Sequence, residues 1–71
     1  MEVKYIRTKE DEIIIFSELQ THGEFRSFSP VSAGFINPKT YECYGGSICL
    51  QLKSNTEEDT KLAQRQFIIG Y

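Results

Sequence analysis

The sequence predicts an α+β fold: a small antiparallel sheet of about four strands, arranged as two hairpins, with one C-terminal helix packed on it. Three observations lead there. Apolar residues recur at a period of two over much of the first 52 residues, as strands with one packed face require. Turn-forming residues cut these runs at hairpin length. The spacing then becomes helical after Ser54, with acids first and bases later. Residues 1–71 make a single domain.

Residues 3–7 alternate Val3 and Tyr5 with Lys4 and Ile6 and read as a first strand. Thr8, Lys9, Glu10 and Asp11 form a polar connector. Residues 12–17 contain Ile13-Ile14-Ile15-Phe16, a β-branched run suited to a strand covered on both faces. Residues 18–30 are less regular, with Leu19, Phe25 and Phe28 as the only large apolar side chains. We expect an ordered loop there, with one helical turn at most, pinned by the two phenylalanines. Pro30 should hold Ser29 extended before the next strand. Thirteen residues are a long connection for so small a domain, and long ordered loops often carry function.

The densest strand signal lies in residues 31–52, read as a hairpin at the centre of the sheet. Val31, Ala33 and Phe35 alternate with smaller or opposite-facing residues up to Asn37-Pro38-Lys39-Thr40. Pro38 presets a turn corner, and the Asn37 side chain can accept from the backbone two residues on. A return strand should start at Tyr41 and run to Leu52, bent by a bulge at Gly45-Gly46; the other reading makes those glycines a two-residue turn. Ser54 with Glu57 fits a capping box, and Glu57, Glu58 and Asp59 suit the positive end of a helix dipole. The helix should run to about Phe67 with Leu62, Ala63 and Phe67 as its apolar stripe and Glu57–Lys61 as an i,i+4 pair. Ile68, Ile69 and Tyr71 should continue as a tail, with Gly70 as a stop.

Eight basic residues against ten acidic ones give a net charge of −2, and the bases are scattered. That argues against a nucleic-acid interface. The longest strongly apolar run, at Ile13 to Phe16, is far too short to span a membrane. The first residues show no signal-peptide hydrophobic region, so the expected localisation is cytoplasmic. Cys43 and Cys49 are not spaced as C-x-x-C, and both read as small packing groups in strands. A chain this short buries only about 60% of its unfolded surface, which makes oligomerisation a common remedy.

The chemical inventory is thin. His22 with Glu24 is the one pair resembling an acid–base constellation, but an exposed or capping histidine explains it as well. Gly45-Gly46-Ser47 could turn backbone N–H groups toward an anion beside Tyr44 and Arg26, though it matches no phosphate-loop pattern. Ser54 is better explained by capping than as a nucleophile. Aromatic residues Tyr5, Phe16, Phe25, Phe28 and Phe35 read as core rather than as base-stacking platforms. The candidate ligand- or partner-binding residues are therefore His22, Glu24, Arg26, Tyr44, Gly45, Gly46 and Ser47. No catalytic residue, metal ligand or cofactor is assigned.

His22-Gly23-Glu24-Phe25, Pro30-Val31-Ser32-Ala33-Gly34-Phe35, Cys43-Tyr44-Gly45-Gly46-Ser47 and Leu52-Lys53-Ser54, followed by Glu58-Asp59, together resemble a pattern shared by short uncharacterised proteins of gut-type bacteria and their mobile elements or phages. The resemblance covers most of the chain. It implies no activity and assigns no residue a role; it favours an intracellular accessory protein over a housekeeping enzyme. Two functional expectations follow. The first is a non-enzymatic binding protein that self-associates and engages a protein partner through residues 18–30 or a sheet edge. The second is an oligomer that sequesters a small anionic ligand such as a nucleotide, in the manner of a phage protein removing a host signal.

Overall fold

In a computed structural model, the chain is described over residues 3–17, 19–48 and 50–69. Four strands form one antiparallel sheet: β1 (Val3–Thr8), β2 (Ile13–Phe16), β3 (Pro30–Ile36) and β4 (Cys43–Tyr44), in the order β2-β1-β3-β4. A second, two-stranded sheet pairs β5 (Gly46–Ser47) with β6 (Leu52–Lys53). The chain then forms α1 (Thr56–Gln64), which continues as a π-helical turn over Arg65–Ile69. The expected α+β class and its packed C-terminal helix are present. The centre of the sheet, however, is β1 with β3, and β4 is a short edge.

Alternation along the strands sorts the side chains onto two packed faces. On one, Tyr5, Ile13, Ile36, Cys43 and Ala63 form a buried cluster, with Val3, Ile15, Tyr41 and Leu62 around it. Ala63 and Leu62 bring α1 onto this face. On the other, Ile6, Phe16 and Ala33 are buried beneath Ile14, Phe25, Leu50 and Leu52. The Ile13–Phe16 run thus feeds both clusters, as a continuous β-branched segment should.

The connection from β2 to β3 must cross the sheet, because both strands pair with β1 from opposite sides. That crossing explains its length. It contains a 3₁₀ helix over His22–Phe28, longer than the single turn expected. Phe25 stacks on Phe16 with ring centroids 4.0 Å apart and pins the crossing to the second face. Phe28 does not act as a second pin; it is half exposed. Ser29 is left-handed (φ 54°, ψ 59°) rather than extended, because its N–H caps the helix on the Arg26 carbonyl. The C-terminal cap outweighs the preference that Pro30 imposes.

The turn after β3 forms as expected, with the Asn37 side-chain oxygen accepting from the Lys39 N–H at 2.8 Å. Tyr41 has a positive φ of 63°, which delays the return strand to Cys43. The strand then stops at Gly45. Gly45 takes φ +77°, and the chain leaves the main sheet there to enter the small β5–β6 hairpin. The glycine pair is therefore neither a bulge in one long strand nor a two-residue turn. Ile48, Leu50 and Gln51 lie in the turn between β5 and β6, so Ile48, Leu50 and Leu52 do not alternate along a strand. Gly34 is required where this excursion begins: a Cβ on it would collide with the Tyr44 carbonyl oxygen. Cys49, Gly70 and Tyr71 lie outside the described residues.

Candidate functional site

The strongest polar constellation was not among the candidates from the sequence. Asp59 is fully buried (0% exposed) on the inner face of α1. Its Oδ2 accepts from the Tyr5 hydroxyl, from Ser32 Oγ at 2.7 Å and from the Asn55 N–H at 3.1 Å. Arg7 Nη1 reaches its Oδ1 at 3.1 Å. Because Tyr5 gives its only proton to Asp59, the Ser54 hydroxyl donates to the Tyr5 oxygen at 2.7 Å. Ser54 is thus not the cap. The N-cap is Asn55, one residue later than expected, and Asp59 does the reach-back that the sequence suggested for Glu57.

These contacts join β1, β3 and the start of α1 at one point. A carboxylate removed from water costs several kcal/mol unless its lone pairs are met, and four donors meet them here. Among the described residues no buried side-chain nitrogen or oxygen lacks a partner. The same burial, reinforced by the bond to Asp59, pushes the Tyr5 hydroxyl pKa far up, so it stays a proton donor. Arg7 is held charged chiefly by Asp11, whose Oδ1 lies 2.7 Å from Nη2. Burial first, then the Asp59 charge, pushes the Cys43 thiol from its ordinary 9.0 up to about 11. Ser32 lies beside a carboxylate yet is buried with it, out of reach of a substrate. The geometry makes this group a rivet between elements.

The predicted residues fall into two sets. His22, Tyr44 and Gly45 are brought together around Phe35. The His22 ring meets Phe35 edge-on at 6.0 Å, Tyr44 stacks on Phe35 at 5.9 Å, and Gly45 passes over its ring. His22 is buried, not exposed: its Nε2 lies 2.9 Å from the Gly34 carbonyl oxygen, and its ring also meets Phe16 edge-on. A carbonyl only accepts, so Nε2 carries the proton. Glu24 does not join His22. Its carboxylate turns back to accept the Thr21 N–H at 2.7 Å and starts the 3₁₀ helix. Arg26 lies exposed on the same helix, near its end.

Gly46 and Ser47 belong to β5. Both pair with β6, and the buried Ser47 Oγ accepts the Leu50 N–H at 3.3 Å to close the hairpin loop. The Gly45 carbonyl accepts from the Ser54 N–H at 2.9 Å. Two open clefts flank these residues. One, of about 410 Å³, is lined by Ile36, Asn37, Pro38, Lys39 and Tyr44. The other, of about 420 Å³, runs along Gly46, Ser47, Ile48, Gln51, Leu52 and Lys53.

A sequence signal for Asp59 did exist. Asp59, Leu62, Ala63 and Gln66 share the i, i+3, i+4, i+7 spacing of one helix face, so an acid stands on the apolar stripe. Tyr5 and Arg7 share one face of β1 and make the matching donors. Among the described residues, no group of three His, Cys, Asp or Glu side chains could hold a metal ion, and no helix is long and apolar enough to cross a membrane. Comparison with family models, curated proteins and solved structures finds no match.

Proposed function

We propose that the chain is a small, intracellular, non-enzymatic binding protein that self-associates and engages a protein partner. The supporting observation is where its large apolar side chains remain uncovered. Leu19 and Ile48 are 90% and 96% exposed, and Phe28 and Val31 are about half exposed. They come from the crossing segment, the strand that follows it and the tip of the small hairpin. Tyr44, Phe67 and Ile68 are exposed as well; single exposed apolar residues are ordinary, but seven large ones among the described residues of so small a domain favour a docking role. The groups with the richest chemistry, in contrast, are engaged with one another around Asp59.

A photo-crosslinking residue in place of Phe28 tests the partner. The expected result is one discrete adduct in cells, lost when Ile48→Asp is added. Adducts of the chain with itself alone, or none, overturn the partner half of the reading. Light scattering after gel filtration tests the other half: a clean monomer at high concentration overturns self-association.

A second reading rests on the cleft beside Tyr44. It presents an aromatic ring, the Pro38 ring and the Lys39 ammonium, a set suited to a small anionic ligand such as a nucleotide. A nucleotide at 100 times its dissociation constant adds about 2.7 kcal/mol of stability. A thermal-shift screen that moves with no nucleotide removes this reading.

A further inference from the structure

The Thr8 N–H bonds the Glu12 carbonyl at 2.9 Å, and this fixes the phase of the β1–β2 ladder. With Arg7 opposite Ile13 and Tyr5 opposite Ile15, those two are the non-hydrogen-bonded pairs. The main-chain groups of Ile13 and Ile15 therefore point away from β1, out of the sheet edge. At Ile13 both are taken by one side chain: its N–H donates to Gln66 Oε1 at 2.9 Å, and its carbonyl accepts from Gln66 Nε2 at 2.9 Å. At Ile15 no bond outside the ladder is formed among the described residues. The opposite edge is only two residues long, and Thr60 Oγ1 accepts its Cys43 N–H at 2.9 Å.

We propose that the open edge of β2 at Ile15 docks a second copy of this chain, antiparallel and strand to strand, and that Gln66 limits the pairing by occupying Ile13. The proposal rests on the self-association read above and names its surface. A hydrogen-bonded antiparallel pair exchanges both N–H···O=C bonds between two residues. Ile15 facing Ile15 of a second copy across a two-fold axis thus satisfies the same two groups on each chain. The shape of the edge selects this occupant, since an isologous contact needs only one open residue at its centre. Ile14 then stands opposite Phe16 of the second copy, in the pair type that brings side chains closest. Both belong to the Ile6–Phe16–Ala33 side of the sheet, so that apolar cluster continues across the axis. Further out, Ile13 would face Ser17 of the second copy. That step requires Gln66 to swing away and the Ser17 carbonyl, which already accepts the Gln20 N–H, to accept a second one.

Analytical ultracentrifugation over a concentration series tests this on three full-length chains: wild type, Gln66→Ala, and a synthetic chain N-methylated at Ile15. N-methylation removes the outward N–H and blocks the edge, while the inward bonds of Ile14 and Phe16 remain. Ile15→Pro, tolerable on an edge strand for the same reason, is the second variant, and circular dichroism melts check folding. The expected result is a monomer–dimer equilibrium for wild type, a dimer at least roughly ten-fold tighter in Gln66→Ala, and a monomer when Ile15 is blocked. A dimer unchanged by blocking Ile15 overturns the edge assignment and leaves self-association standing. No dimer in any chain overturns both, and an unchanged dissociation constant in Gln66→Ala overturns the role of Gln66.

Discussion

The two faces of the sheet are closed by different means. Beneath α1, a nine-residue helix brings Ala63, Leu62 and the fully buried Asp59 onto β1 and β3, and four donors meet the Asp59 carboxylate there. The opposite face is closed by a 3₁₀ helix and by a hairpin whose strands are two residues each. These covers bury Phe25, Leu50 and Leu52 only in part and leave Ile48 and Phe28 facing water. Burial of area and completion of hydrogen bonds stabilise the first face. The second has the thin, loosely anchored covers from which binding surfaces are commonly drawn. That difference supports the docking role proposed above for the second face.

The sharpest way to break that division is Asp59→Ala. It takes their shared acceptor from Tyr5 and Ser32 and one of three carboxylates from Arg7, and each buried donor left unsatisfied costs about 1–3 kcal/mol. For a domain whose total stability is of order 5–10 kcal/mol, urea denaturation should show much of it gone. A loss below about 1 kcal/mol would mean that the rivet contributes little and that the two faces are equal.

Alkaline pH should act on the same face to an intermediate degree. The folded chain holds the Cys43 proton up to about 11, against 9.0 when unfolded, and Tyr5 is shifted in the same direction. Between those values the unfolded state has lost a proton that the folded state keeps. Stability therefore falls as pH rises through the window from 9 to 11. Urea midpoints at intervals across that window check this. Tyr5→Phe should flatten the decline only above pH about 10, where a free phenol titrates.

The smallest effect on stability is expected at the other face. Ile48→Asp changes a side chain that is almost wholly exposed, so its unfolding free energy from urea denaturation should stay within about 0.5 kcal/mol of wild type. The same substitution should abolish the crosslinked partner adduct. A large stability loss with the adduct retained would invert the assignment of the two faces.

Much of the fold was legible in the residues. Val3-Lys4-Tyr5-Ile6 and Ile13-Ile14-Ile15-Phe16 announced β1 and β2 because alternation and β-branching are local properties. Asn37-Pro38 announced its turn for the same reason. The misses have other causes. Ser29, Tyr41 and Gly45 take positive φ: Ser29 to end a helix on Arg26, Tyr41 to close a turn on Asn37, and Gly45 to let the backbone cross over Gly34. The first two are local closures that override the extended chain favoured by Pro30 and by the strand pattern at Tyr41; at Gly45 the sequence allows a positive φ, but the change of sheet depends on Gly34, eleven residues away. Of the candidate site, His22, Tyr44 and Gly45 do converge on Phe35, but Glu24 and Ser47 are used up in local caps. From the sequence Asp59 is one of three helix-start acids, because dipole and capping logic account for acids in a first turn. Only the tertiary fold supplies Tyr5, Ser32 and Arg7 around it.

The side chains of Thr60, Gln64 and Gln66 bond to main-chain atoms at Cys43, Thr40 and Ile13 respectively. One helix therefore fastens both margins of the sheet, some fifty residues apart in sequence at the Ile13 end. During synthesis the strands emerge first and this fastening last. A chain that folds as it is made therefore holds β1 through β4 with bare margins until the helix forms and closes both at once.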